Sequence, residues 1–392
     1  MVVILIIVTV VILSALLYLI LDYCGPERIL LQPENKFGMV CLRAKDLIVQ
    51  EYDSKGNLWA TRGQLVYYLK KGEDKFIKIT RVPSGFSFFW LNSFTIIRRL
   101  TLRSECIEIT VIEDGQICAF SSGRMWNSPG IGKKFHETLK LPHYGMGVGR
   151  GIMSTGLIQI NDREFLFGEY FSNQERTNVK IYKFINSDMT WKTTFEFQPG
   201  QIRHIHALQS DPYTGKLWIC TGDEDSEAMI GWSDDDFKTI VPIGQGSQKW
   251  RACQLVFTEN DVYWGTDTGA IDLAGLYRWD KENLELKQLQ SIPGAIFFGT
   301  RLANGTIVMS TDREGFPNEK DDKTRLFIIN KDNKIKTIDC GTWNYKKPGF
   351  RFNFAKLRIQ RIQGSHTLAI SCLNQKEIPD GDLLIYSEEV FN

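Results

Sequence analysis

Short apolar runs ending in Thr or Ser, and then usually a charge, recur along the chain at wide and nearly even spacing. The clearest copies are Leu58-Trp59-Ala60-Thr61-Arg62, Leu217-Trp218-Ile219-Cys220-Thr221-Gly222-Asp223, Val262-Tyr263-Trp264-Gly265-Thr266-Asp267 and Ile307-Val308-Met309-Ser310-Thr311-Asp312. Weaker copies stand at Ile117-Cys118-Ala119, Phe165-Leu166-Phe167 and Leu368-Ala369-Ile370-Ser371. Copies lie roughly 45 to 60 residues apart, the size of a unit that cannot bury its own apolar faces and must stack on its neighbours.

Each period resolves into four short strands. From Gln201 the pattern predicts strands at 202–208, 216–220, 228–232 and 238–242, with turns at Asp211-Pro212-Tyr213-Thr214-Gly215 and 233–237. The same order follows from 251 to 289 and from 295 to 338, punctuated by turns such as Ala303-Asn304-Gly305, a strong local hairpin signal. Earlier units are read at 45–82, 86–141 and 146–197, and a last one at 350–388. The fold expected is all-β, a β-propeller of seven four-stranded blades. Six stays open, because the units at 86–141 and 350–392 are irregular. The last unit ends after three strands, and the stretch 28–32 is expected to supply the missing edge partner.

The first residues break this pattern. Positions 2–21 carry no charge and are dominated by Val, Ile and Leu, enough to cross a hydrocarbon core of about 30 Å at 1.5 Å per residue. No basic segment precedes them and no small-x-small site precedes Asp22, so a retained single-pass transmembrane anchor is expected rather than a cleaved signal. The layout is therefore anchor 1–21, tether 22–38 and propeller 39–392. Arg28, Lys36, Arg43 and Lys45 follow the span, which favours a cytoplasmic propeller, as do Cys118, Cys220, Cys253 and Cys372, which sit in strand-like runs without paired spacing. Most propellers of the kind named below work on the other side, and the side is left open. With 43% apolar residues in 392 the chain can bury a large core, and its net charge of +1 leaves no nucleic-acid footprint.

The turn Gly231-Trp232-Ser233-Asp234-Asp235-Asp236-Phe237-Lys238-Thr239-Ile240 resembles the Asp box, Ser-x-Asp-x-Gly-x-x-Trp, of sialidase-like (BNR-repeat) propellers. Ser233 and Asp235 match; Phe237 stands for the Gly and Ile240 for the Trp. The resemblance covers about residues 201–312 and implies a propeller of the kind found near polysaccharide genes. An Asp box is a folding device whose side chains satisfy the backbone of a turn. Sialidase activity would need an arginine triad and a Tyr-Glu nucleophile pair, which the chain does not present at matching positions.

In a blade, the start of the innermost strand and the loop leaving the second strand open on one face near the axis. That rule gathers His204, His206, Asp223, Glu224, Asp267 and Asp312 as candidate catalytic residues, and Arg150, Arg203, Trp250, Arg251, Arg313 and Arg351 as candidate ligand-binding residues. Planar guanidinium groups bind carboxylate or sulfate in bidentate fashion and an aromatic face stacks on a pyranose, so the set suits an acidic or sulfated glycan. The function expected is a membrane-anchored propeller binding such a glycan in polysaccharide synthesis, export or turnover. A glycoside hydrolase or polysaccharide lyase at the same mouth, and a protein-interaction platform without catalysis, are the alternatives. No cofactor is expected: no Cys or His set has zinc spacing, and Asp223-Glu224-Asp225-Ser226-Glu227 is dense enough for calcium but lacks an EF-hand spacing.

Overall fold

A computed structural model describes residues 2–84, 91, 93–101, 107–111, 115–144, 151–161, 164–185, 190–344 and 354–391. Seven antiparallel sheets fill them, in chain order from blade 1 to blade 7. Blade 4 has Ile205–Ser210 innermost, then Leu217–Thr221, Met229–Ser233 and Val241–Gln245. Blade 5 has Ala252–Phe257, Asp261–Thr266, Gly275–Asp280 and Glu285–Ser291. The expected seven-bladed propeller is thus present.

Why these segments fold so is visible in their burial. The two inner strands of a blade pack on sheets at both faces, so Ala252–Phe257 and Asp261–Thr266 are buried throughout. Outer strands such as Glu285–Ser291 alternate toward solvent. Innermost strands run side by side in the same sense. Ile109 donates its backbone N–H to Gln50 Oε1 at 3.2 Å, Leu255 to Gln209 Oε1 at 2.6 Å and Gly299 to Gln254 Oε1 at 3.1 Å, each tying neighbouring blades at matching heights. The axis is filled by polar side chains that satisfy one another: Arg358 of blade 7 reaches Glu108 of blade 2 at 3.0 Å, and Arg361 reaches Glu51 at 2.8 Å.

Ring closure departs from expectation. Arg28–Leu30, within the expected 28–32 partner, pairs with Lys75–Arg81 and adds a fifth strand to blade 1. The fourth strand of blade 7 is Met39–Ala44, with Leu42 opposite Ile385 and Ala44 opposite Leu383. Arg43 secures it, donating to Asp382 and Glu34 at 2.6 Å each. Gln32–Lys36 then pairs on Met39–Ala44. The stretch 22–38, expected as a tether, thus holds two strands that cover sheet edges.

Helix Val2–Cys24 is long and apolar enough to cross a membrane. Its end is fixed to blade 1. The Asp22 carboxylate accepts from Arg62 Nη2 at 2.9 Å and from the Thr95 backbone N–H at 2.6 Å, while Lys78 Nζ donates to the Cys24 carbonyl at 3.1 Å. Gly25 ends the helix at φ +64°, its N–H on the Leu21 carbonyl at 2.9 Å, and a Cβ there would lie 2.3 Å from Leu65 Cδ1.

The turn with the Asp-box resemblance joins the third and fourth strands of blade 4. Ser233 Oγ accepts the Phe237 N–H at 2.9 Å, Asp235 Oδ1 accepts the Thr239 N–H at 2.9 Å, and the Phe237 ring is fully buried.

Candidate functional site

In blade 4, Ile205 pairs with Thr221, so residues just before the inner strand lie beside the loop 222–228. This places Arg203, His204 and His206 against Asp223. His204 Nε2 lies 3.0 Å from His206 Nε2, and Asp223 Oδ1 lies 3.3 Å from the first and 3.2 Å from the second. Arg203 Nη1 donates to Asp223 Oδ2 at 2.8 Å. From blade 5, Arg251 Nη2 stands 3.3 Å from Asp223 Oδ1 and 3.1 Å from Asp267 Oδ2, with Cys253 Sγ 3.5 Å from the same Asp267 oxygen.

Burial sets the electrostatics. Burial works against ionising Asp223, but hydrogen bonds from His204 and His206 outweigh it and hold the carboxyl far below the usual carboxylate range. Burial pushes His204 down, against the pull of Asp223. For Arg251 burial is overcome by Asp267 and Asp223, which keep the guanidinium charged. Glu314, leaving the second strand of blade 6, is pushed up to about 8 by burial and then by Asp267, against Lys356.

Two overlapping sets of donors meet here: His204, His206 and Asp223, and His206, Cys253 and Asp267. In the first, His204 Nδ1 faces the Phe171 carbonyl at 3.0 Å. With a proton on Nδ1 for that contact, Nε2 would exchange its hydrogen bond to Asp223 for a bond to the ion. The three edges of 3.0 to 3.3 Å match one face of a coordination shell with bonds of about 2.0 to 2.2 Å. His206 Nδ1 and Asp267 Oδ1 are buried without a hydrogen-bond partner, as donor atoms around an ion would be. The residues fit a divalent cation, which linear spacing alone had concealed.

The other expected residues are distributed differently. Glu224 and Asp225 are exposed on the loop, and Glu227 is tied to Arg176 at 2.6 Å. Asp312 is fully buried, 3.9 Å from Lys356 Nζ. Trp250 is buried between blades 4 and 5, stacked 5.6 Å from Trp264, and presents no face to a sugar. Arg313 is held by Glu319 and Asp322 in a structural ion-pair group. Arg150 and Arg351 lie outside the described residues. Sequence reasoning passed over Cys253, which read as a buried thiol, and did not single out Lys356.

No family model matches the chain, and no curated protein matches it in sequence. Solved structures do. It is similar to an oligogalacturonate lyase from Vibrio parahaemolyticus, at 10% identity and a TM-score of 0.54, over 93% of this chain and 99% of that one. An oligogalacturonate lyase in complex with manganese gives 12% identity and a TM-score of 0.53, over 93% and 98%. A quinonprotein alcohol dehydrogenase-like protein from Bacteroides thetaiotaomicron gives 11% and 0.50, over 80% and 76%. The likeness is one of fold. It supports the propeller and does not extend to the sialidase-like family.

Proposed function

We propose that this chain is a single-pass membrane protein whose propeller binds an acidic glycan at its upper mouth, the face on which the innermost strands begin. The observation that carries the reading is the meeting of Arg203, Arg251, His204 and His206, from two blades, at Asp223. Arg203 Nε is buried without a hydrogen-bond partner, and the remaining guanidinium donors suit a carboxylate or sulfate. The oligogalacturonate lyases of like fold, one with manganese, lend support through a uronate substrate and a metal. In this chain His204, His206 and Asp223 would hold a divalent ion. Such an ion supplies a fixed positive charge and open positions for sugar oxygens. Retention of the anchor is supported by Asp22, Tyr23 and Cys24, whose contacts with blade 1 cleavage would remove.

A second reading, a glycan-cleaving enzyme, is favoured by one pair at the same mouth: Glu314, held protonated at neutral pH, beside Asp267 with its Arg251 partner. Binding of the full-length protein to oligogalacturonate and to a neutral glucan of equal length tests the first reading. Selective retention of the uronate is expected, and equal or absent binding contradicts it. Release of new reducing ends or unsaturated ends by the wild type, lost in Glu314→Gln, tests the second.

A further inference from the structure

We infer that the mouth opens toward the bilayer that holds the anchor, and that its ligand is an acidic glycan carried on a lipid; the first half rests on the membrane anchor and the second on the acidic-glycan reading proposed above. In blade 1, Ile48 pairs with Thr61, Arg62 with Leu65 and Leu65 with Arg81, so these residues share the end at which the innermost strand begins. In blade 4 that same end carries His204, His206 and Asp223. Because innermost strands run in one sense around the ring, the end of blade 1 that holds Arg62 and Arg81 lies on the face that holds the mouth.

The anchor joins that face. Asp22 is bound by Arg62 and Thr95, the Arg81 guanidinium lies 3.9 Å from the centroid of the Tyr23 ring, and Tyr67 Oη donates to the Pro26 carbonyl at 2.9 Å. Among its described residues the helix buries only Asp22, while Ile6 and Leu21 are 57% and 61% exposed. It therefore neither runs down the side of blade 1 nor lies across the mouth, and it projects away from the upper face. Apolar residues up to Leu21 belong in hydrocarbon and Asp22 at the interface, which brings the upper rim of blade 1 to the headgroups. A helix ended by Gly25 and clamped by three cationic side chains has little freedom to swing the propeller over. A soluble polymer would have to enter between protein and bilayer, whereas a glycan on a lipid carrier is presented there already.

Blade 5 offers a matched pair of probe sites: Ile271 on an upper loop, 64% exposed, and Leu284 on a lower one, 67% exposed. The experiment uses the full-length chain with Cys24→Ser and Cys106→Ser, labelled at Ile271→Cys or Leu284→Cys, in phosphatidylcholine vesicles bearing a headgroup quencher. The dye at 271 is expected to be quenched at least twofold more than the dye at 284, and Gly25→Ala, which frees the dock, is expected to narrow the difference. Equal quenching, or more at 284, overturns the orientation. For the ligand, oligogalacturonate is joined to phosphatidylethanolamine directly or through a long polyethylene glycol spacer. Binding of the directly joined form as tight as that of the spaced form is expected, and binding through the long spacer alone overturns the inference. If no form of the uronate binds, free or on lipid, the acidic-glycan reading is what fails, and the dye pair still decides the orientation.

Discussion

Arg203 and Arg251 open successive blades, and both close on the single carboxylate of Asp223, at 2.8 and 3.3 Å. Arg251 also holds Asp267 at 3.1 Å, so two cations meet two carboxylates, and the guanidinium N–H groups left over are donors for a further anion. The loop that leaves the second strand of blade 4 is therefore held by charge.

Asp223→Asn keeps the shape and removes the charge. Arg203 and Arg251 then lose their common partner in a largely buried place, and the protein is expected to lose about 1 to 3 kcal/mol. The urea midpoint of the variant checks this. A change within about 0.5 kcal/mol, typical of surface positions, would mean that the contact is solvated and weak.

The donor set predicts one divalent ion per chain. Mn²⁺ or Zn²⁺ added to metal-free full-length protein is expected to raise its unfolding free energy by about 2.7 kcal/mol at a hundredfold excess over Kd. His206→Ala, which removes a ligand common to both donor sets, is expected to abolish the rise. Equal stabilisation of wild type and variant would place the ion elsewhere.

Trp250 behaves as core, not as a sugar platform. Its ring lies where a Cβ on Gly244 would come within 2.0 Å, so Gly244→Ala and Trp250→Ala should both destabilise, the latter by about 3 to 5 kcal/mol. A loss of glycan binding by Trp250→Ala at unchanged stability would restore the ring to the mouth.

Glu314 gives a pH dependence with a definite sign. Its pKa is raised from 4.5 to about 8 in the folded chain, so the native state binds more protons than the unfolded state between those values, and stability falls as pH rises through that window. Glu314→Gln removes the titration. Between pH 6 and pH 9 the urea midpoint should fall further for the wild type than for the variant, and equal falls would refute a protonated Glu314 at neutral pH.

Much of the scaffold was legible because a blade repeats: Trp59, Trp218 and Tyr263 occupy the same buried second-strand role, and repetition separates that role from local accident. The convergence of Arg203, His204 and His206 with Asp223 followed from strand order alone, since the inner strand and the second-strand exit must share an end. The closing strand was not legible. Met39–Ala44 reads like the opening of the first blade, and only its partners Asp382 to Ile385 show that it finishes the last. Trp250 and Arg313 misled for a related reason: an aromatic or arginine at a loop start looks available until Trp264 and Trp279, or Glu319 and Asp322, are seen to enclose it. The metal-ligand set was hidden because Asp223 comes from a different strand connection than the two histidines, and no linear spacing encodes that distance.

The proposed glycan site is one mouth, built on Arg203, Arg251 and Asp223. Calorimetric titration of oligogalacturonate into the full-length protein and into Arg203→Ala tests it most directly. The wild type is expected to bind and the variant to bind at least tenfold more weakly, with Arg203→Lys in between and all three equally folded. Identical affinities in wild type and Arg203→Ala would contradict the account.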